Sequence, residues 1–170
     1  MPQIIKGFSA RLSHTEVGLI AMLPYVFATA VMIWWSRRSD RHAERRLHSA
    51  IPLGVAALAF VGAGFIGNPA LAMAMICLSL AGLYAFKSPF WALPTLFLTR
   101  STAAVSIAVI NSVGNLGGFV GPFAIGYLKG QTHSTTAGLL FLAGLLTVSF
   151  VMTLLLRVSE AATAGLSQGG

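Results

Sequence analysis

The stretch Leu71-Ala-Met-Ala-Met-Ile-Cys77-Leu-Ser-Leu-Ala-Gly-Leu-Tyr84-Ala-Phe-Lys87-Ser-Pro89-Phe-Trp91-Ala-Leu-Pro94-Thr-Leu-Phe-Leu98 carries a single charge in an otherwise apolar run. As a helix it would be roughly 40 Å long, enough to cross a bilayer with tilt. A charged side chain inside such a span costs at least about 2.5 kcal/mol on insertion scales, so it usually faces a bundle interior or a water-filled cavity. Lys87 stands among Tyr84, Phe86, Phe90 and Trp91. Pro89 and Pro94 follow it, and each frees a backbone carbonyl and bends a helix. An ammonium beside a helix break is suited to binding an anion. The alternative is that Lys87 snorkels to an interface where two shorter helices meet.

Composition agrees with a membrane protein. The chain is 56 % hydrophobic and 9 % charged, with 18 glycines and 7 prolines, and its mean hydropathy is +0.81. That is too apolar for an ordinary soluble domain. The net charge of +7 does not point to nucleic acid, because most of the basic residues fall in one short segment between apolar runs. Positive-inside topology accounts for them better. Cys77 stands alone in an apolar run, where a cysteine packs as a small side chain.

Reading outward from Leu71–Leu98, the apolar runs predict an all-α polytopic bundle of about five transmembrane helices. The other spans are about Val17–Trp35, Ala50–Ile66, Ala103–Leu128 and Ala137–Leu156. Met1–Ile5 read as the last turn of a preceding helix, so the pattern implies a sixth, truncated span within a unit covering 1–158. Residues 159–170 read as a disordered tail. Ser36–His48 reads as a charged cytoplasmic loop. On the inside fall Arg37, Arg38, Arg41, Arg45, Arg46, Arg100 and Arg157, against Lys6, Arg11 and Lys129 outside. That bias predicts an external N-terminus and a cytoplasmic C-terminus.

The span Ala103–Leu128 contains Asn111-Ser-Val-Gly-Asn115-Leu-Gly-Gly-Phe-Val-Gly121-Pro122. Asn111 and Asn115 are four apart and share a helix face. Gly114 with Gly118, and Gly117 with Gly121, repeat the small-xxx-small spacing that lets membrane helices approach closely. The glycines read first as packing; the asparagines read equally as site or as interhelical glue. Measured from Leu98, Lys87 lies roughly 16 Å deep, and from Thr102, Asn111 and Asn115 lie roughly 14 and 20 Å deep. That arithmetic predicts one level for an ammonium and two amides, a set able to hold a carboxylate. In Ser36–His48, Asp40 and Glu44 among arginines suit charge-assisted bonds that hold one access state. No metal-ligand spacing, nucleophile motif or phosphate loop occurs. The sequence thus predicts neither an enzyme nor a cofactor.

The run Ser39-Asp40-Arg41-His-Ala-Glu-Arg45-Arg46 resembles the Asp-Arg-x-x-x-Arg-Arg loop between the eighth and ninth helices of major facilitator superfamily transporters. The runs Lys87–Pro94 and Asn111–Pro122 look like the tenth and eleventh helices of its anion:cation symporter branch. The resemblance implies the C-terminal half of a twelve-helix transporter, with substrate near midplane between two halves. It implies alternating-access uptake of an organic anion such as tartrate, phthalate, nicotinate or a sugar acid, with protons, in the inner membrane. An N-terminal half would be the required partner. Lys87, Asn111 and Asn115 are then the expected substrate contacts, with Tyr84 and Trp91 lining the pocket and Asp40, Arg41, Arg45 and Arg46 gating. The alternatives are a truncated or sensory relative that does not transport, and a small oligomeric channel, whose polar stripe along a whole helix is not seen.

Overall fold

The computed structural model describes residues 14–42, 44–93 and 100–156, and among these every regular element is a helix. In chain order they are α1 (His14–His42), α2 (Arg45–Phe65), α3 (Pro69–Ala92), α4 (Arg100–Thr132) and α5 (Thr135–Leu155). Four contain a stretch long and apolar enough to cross a membrane: α2, α3, Ala104–Thr132 of α4, and α5. The sequence of α1 is free of charge from Gly18 to Trp35 and strongly charged beyond it. The protein is therefore a multi-pass membrane protein built as a helix bundle. The expected N-terminal helix stub and the tail at 159–170 lie outside the described residues.

Local sequence explains where the helices start. Asn68 caps α3, its side-chain oxygen accepting from the backbone N–H of Ala70 (2.9 Å) and Leu71 (3.3 Å), and Pro69 follows at the first helical position, where a missing N–H costs nothing. Ser134 caps α5 through the Thr136 N–H at 3.1 Å. Glu44 caps α2 through the Leu47 N–H at 2.8 Å. Between α4 and α5 the chain turns at His133, whose φ of 51° is the left-handed geometry that commonly closes a helix.

Three boundaries differ from expectation. The charged segment Ser36–His48 is not a loop: nothing between Ser36 and His42 breaks α1, and the Glu44 cap opens α2 at Arg45. Asp40 and Arg41 are thus the end of one helix, and Arg45 and Arg46 the start of the next. Secondly, α3 passes through Pro89 and closes at Ala92, where the Leu93 N–H bonds back to the Phe90 carbonyl at 3.1 Å. Pro94, next along the sequence, has no N–H with which to continue such a ladder, and residues 94–99 lie outside the described set. Thirdly, α4 starts already at Arg100 and runs through Pro122 to Thr132, beyond both ends of the expected span Ala103–Leu128.

Packing orders the helices in space as α1, α3, α2, α5 and α4. The α2–α3 seam is made of small residues. Ala56, Ala59, Ala63, Ala81 and Ala85 are all buried. A Cβ added to Gly82 would stand 2.6 Å from the Pro52 carbonyl oxygen. Ser79 donates across the seam to the Ala56 carbonyl at 3.1 Å. Thr136 of α5 donates to the Gly64 carbonyl at 3.1 Å, and Phe150 lies against Gly54 at 3.3 Å from its would-be Cβ. These pairings descend in one partner as they rise in the other, so α2 runs antiparallel to both α3 and α5. By contrast, Tyr25 meets Tyr84 and Ser36 meets Ser88, so α1 and α3 run parallel. The ends of α1, α3 and α5 and the start of α2 gather at one end of the bundle.

Candidate functional site

Lys87 projects from α3 with its side chain exposed, Nζ standing 4.7 Å from the centroid of the Tyr84 ring. Tyr84 in turn meets Tyr25 of α1 edge-on, with centroids 6.3 Å apart and planes at 68°. The ring face attracts the ammonium through its quadrupole, and the edge-on pair is the favoured aromatic arrangement. Lys87 is therefore held by aromatic groups, and among the described residues no carboxylate pairs with it. Its neighbour Ser88 shares a 2.6 Å hydrogen bond with Ser36 of α1. Trp91 is half-buried and packs edge-on against Phe90 at 5.5 Å. Tyr25 also lines an open groove of about 540 Å³ along α1, with Met22, Thr29 and Ile33. A cation beside aromatic walls can hold a carboxylate at one end and an apolar or aromatic body at the other.

The asparagines are elsewhere. Asn111 and Asn115 are exposed on α4, which packs on α5 and makes no contact with α3 among the described residues. The common level expected for Lys87, Asn111 and Asn115 rested on a helix reaching Leu98. α3 closes at Ala92, and residues 94–99, through which that count ran, lie outside the described residues. The Ser36–Ser88 bond sets Lys87 close to the level of Trp34 and Trp35. The glycines of the same run are equally uncovered: a Cβ added to Gly114, Gly117, Gly118 or Gly121 would meet nothing within 4 Å. The expected packing contact is absent among the described residues.

The charged cluster does join helices. Asp40 at the end of α1 pairs with Arg45 of α2 at 3.5 Å, an exposed ion pair worth about 0–1 kcal/mol. Arg46 Nη2 donates to the Leu154 carbonyl, one of the last in α5, which has no partner further along its own helix. Arg46 Nε is buried without a hydrogen-bond partner among the described residues. Arg41 is exposed and makes no ion pair there. Sequence reasoning missed the cross-helix ties of this end: Trp35 Nε1 donating to the His48 carbonyl at 2.7 Å, the Ser36–Ser88 bond, and Tyr25. The signal that could have found them is the Trp34–Trp35 pair, since indoles favour the membrane interface; a serine or tyrosine in an apolar run gives no sign of its partner.

Parallel and antiparallel apolar helices held by small residues, with charged residues collected at one end, define a polytopic helix bundle of the kind found in membrane transporters. Comparison with known proteins gives the particular group. Over 163 residues the chain is 47 % identical to a protein named a tartrate transporter in Agrobacterium vitis, covering 94 % of this chain and 35 % of that relative. It is 37 % identical to a quinolone resistance transporter of Acinetobacter baumannii, over 90 % of this chain and 35 % of the relative. It is 31 % identical to an inner membrane transport protein of Escherichia coli, over 89 % of this chain and 36 % of the relative. The chain belongs to the major facilitator superfamily of transporters and corresponds to the C-terminal half; its relatives are transporters and not enzymes. It spans about a third of the length of these relatives. No family model matches it, and no solved structure does.

Proposed function

We propose that this chain supplies the C-terminal half of a secondary transporter that takes up a small organic anion with protons by alternating access. The observation that carries the reading is the 47 % identity, along nearly all of the chain, to a protein named for tartrate transport. In this reading Lys87 is the anion contact, with Tyr84 and Trp91 as walls and Asn111 and Asn115 orienting the substrate from α4. Asp40, Arg41, Arg45 and Arg46 form the gate, since an exposed pair of about 0–1 kcal/mol between two helix ends is cheap to open. The setting is the inner membrane, with the N-terminus external and the basic end cytoplasmic, as the arginine bias supports. The N-terminal half is the partner that completes the site.

The test is a chimera in which this chain replaces the matching segment of the Agrobacterium vitis relative, reconstituted in vesicles with an imposed pH gradient. Tartrate uptake that collapses with the gradient and falls at least tenfold in Lys87→Ala is expected. A correctly inserted chimera that binds but moves no acid in a panel of tartrate, benzoate-type and pyridine carboxylates would instead mark a non-transporting relative. A second reading, export of an aromatic acid, draws on the quinolone resistance relative and on the Tyr25–Tyr84–Lys87 cluster. Efflux of a preloaded quinolone from the same vesicles, without tartrate uptake, would select it.

A further inference from the structure

The arginines at the end of α1 and the cleft beneath them form one continuous surface. Trp34, Arg37, Arg38, Arg41 and His42 line a pocket of about 210 Å³. Below it lies an apolar cleft of about 170 Å³, with Phe27 and Val31 of α1 on one wall and Ile51 and Val55 of α2 on the other. Its floor is Ala81, Gly82 and Ala85 of α3, and Trp34 lines both spaces. Positions 27, 31, 34, 38 and 41 follow one another at intervals of three and four, so they share one face of α1. The cleft exists because α1 and α2 both pack on α3 and scarcely touch each other, while α3 lines the space between them with Ala81, Gly82 and Ala85 and one large side chain, Leu78.

Charge at the upper end is uncompensated. Asp40 is taken by Arg45, and the Glu44 carboxylate is engaged by the α2 N-terminus and lies 3.5 Å from His48. Among the described residues Arg37, Arg38 and Arg41 have no ion-pair partner, and all three are exposed. Guanidinium groups bind phosphate oxygens in a bidentate fork. An indole at the boundary between an apolar and a basic zone marks the depth where headgroups begin. Basic pockets beside membrane helices are suited to anionic lipid headgroups.

We infer that an anionic phospholipid occupies this surface, its phosphate among Arg37, Arg38 and Arg41 and part of one acyl chain in the cleft between α1 and α2. The cleft is about the size of an engineered cavity that holds one benzene, so it takes a segment of chain. A free anion would use the arginines but leave the cleft unfilled. A zwitterionic lipid would fill the cleft but bring no net charge to the arginines.

The test uses quenching of tryptophan fluorescence in vesicles by brominated phosphatidylglycerol or brominated phosphatidylcholine, with the full chain. Half-quenching is expected at a mole fraction about fivefold lower for phosphatidylglycerol, the attraction of about one arginine to an anionic surface. In Arg37→Gln/Arg38→Gln/Arg41→Gln the ratio should fall towards one with helical content unchanged. Val55→Phe fills the cleft without touching a charge and should weaken phosphatidylglycerol quenching several-fold. Equal quenching by both lipids in the unaltered chain overturns the proposal, as does a preference that survives the triple substitution. A preference erased by excess soluble glycerol phosphate, at matched ionic strength, overturns it in favour of a free phosphate site.

Discussion

Between α2 and α3, small residues bring two backbones so close that a single methyl on Gly82 would strike the Pro52 carbonyl at 2.6 Å. Along α4, glycines at the same kind of spacing face open space. The sequence pattern is alike in the two regions, and what differs is whether the chain also provides the surface that the glycines receive. Small-xxx-small spacing therefore announces a close approach without naming the partner. In α2 and α3 the partner is the next helix along the chain. For α4 the corresponding surface is not supplied by the described residues; in the proposed reading the other half of the transporter supplies it.

The sharpest way to break this contrast is to make the same change in both regions. Gly82→Ala should destabilise the chain by about 2–3 kcal/mol, because the added carbon meets backbone that cannot swing aside. Thermal unfolding in detergent, followed by circular dichroism, would show it; an unchanged midpoint would mean the seam is looser than described. Glu44→Ala should cost about 1 kcal/mol in the same assay through loss of the α2 cap, and a protein as stable as before would remove the cap from the account. Ser79→Ala, which deletes the hydroxyl donated to Ala56, should cost about 0.6 kcal/mol, the average for hydrogen bonds across membrane helices. At the other end of the scale, Gly117→Ala should stabilise the isolated chain by up to about 1 kcal/mol, since alanine favours a helix more than glycine does. In the uptake chimera that gain should become a loss of transport. Destabilisation of the isolated chain by Gly117→Ala would show that α4 already has its partner.

Much of the fold was legible because apolar runs of spanning length have few other uses. The runs Ala50–Ile66 and Ala137–Leu156 each became one helix, and caps such as Asn68-Pro69 are local chemistry that needs no knowledge of neighbours. Helix ends were less legible. A run of charge between Ser36 and His48 looks like a loop, yet charged residues are good helix formers and nothing there interrupts the backbone. Pro89 read as a break but sits inside α3, as proline can where neighbouring groups satisfy the freed carbonyl. The candidate site was legible only in its parts. Depth along a helix can be counted from the sequence, but which helices are neighbours cannot, so the asparagines, counted to one level with Lys87, stand on a helix that packs on α5 and makes no contact with α3 among the described residues. Tyr25 became visible only once α1 and α3 were known to run parallel.

The α2–α3 seam has a mechanical corollary. Alanine and glycine have no side-chain rotamers, so closing the seam freezes few beyond those of Ser79 and Met75, and opening it releases few. A gap of a fraction of an ångström between such surfaces admits neither water nor a lipid methylene, and its lining simply loses its contacts. Partial opening is thus the worst position for these two helices: they are favoured in full contact or wholly apart. A strut with that property does not bend under load but transmits it, so α2 and α3 would move as one rigid lever while the less tightly held α1 and α4 adjust around them.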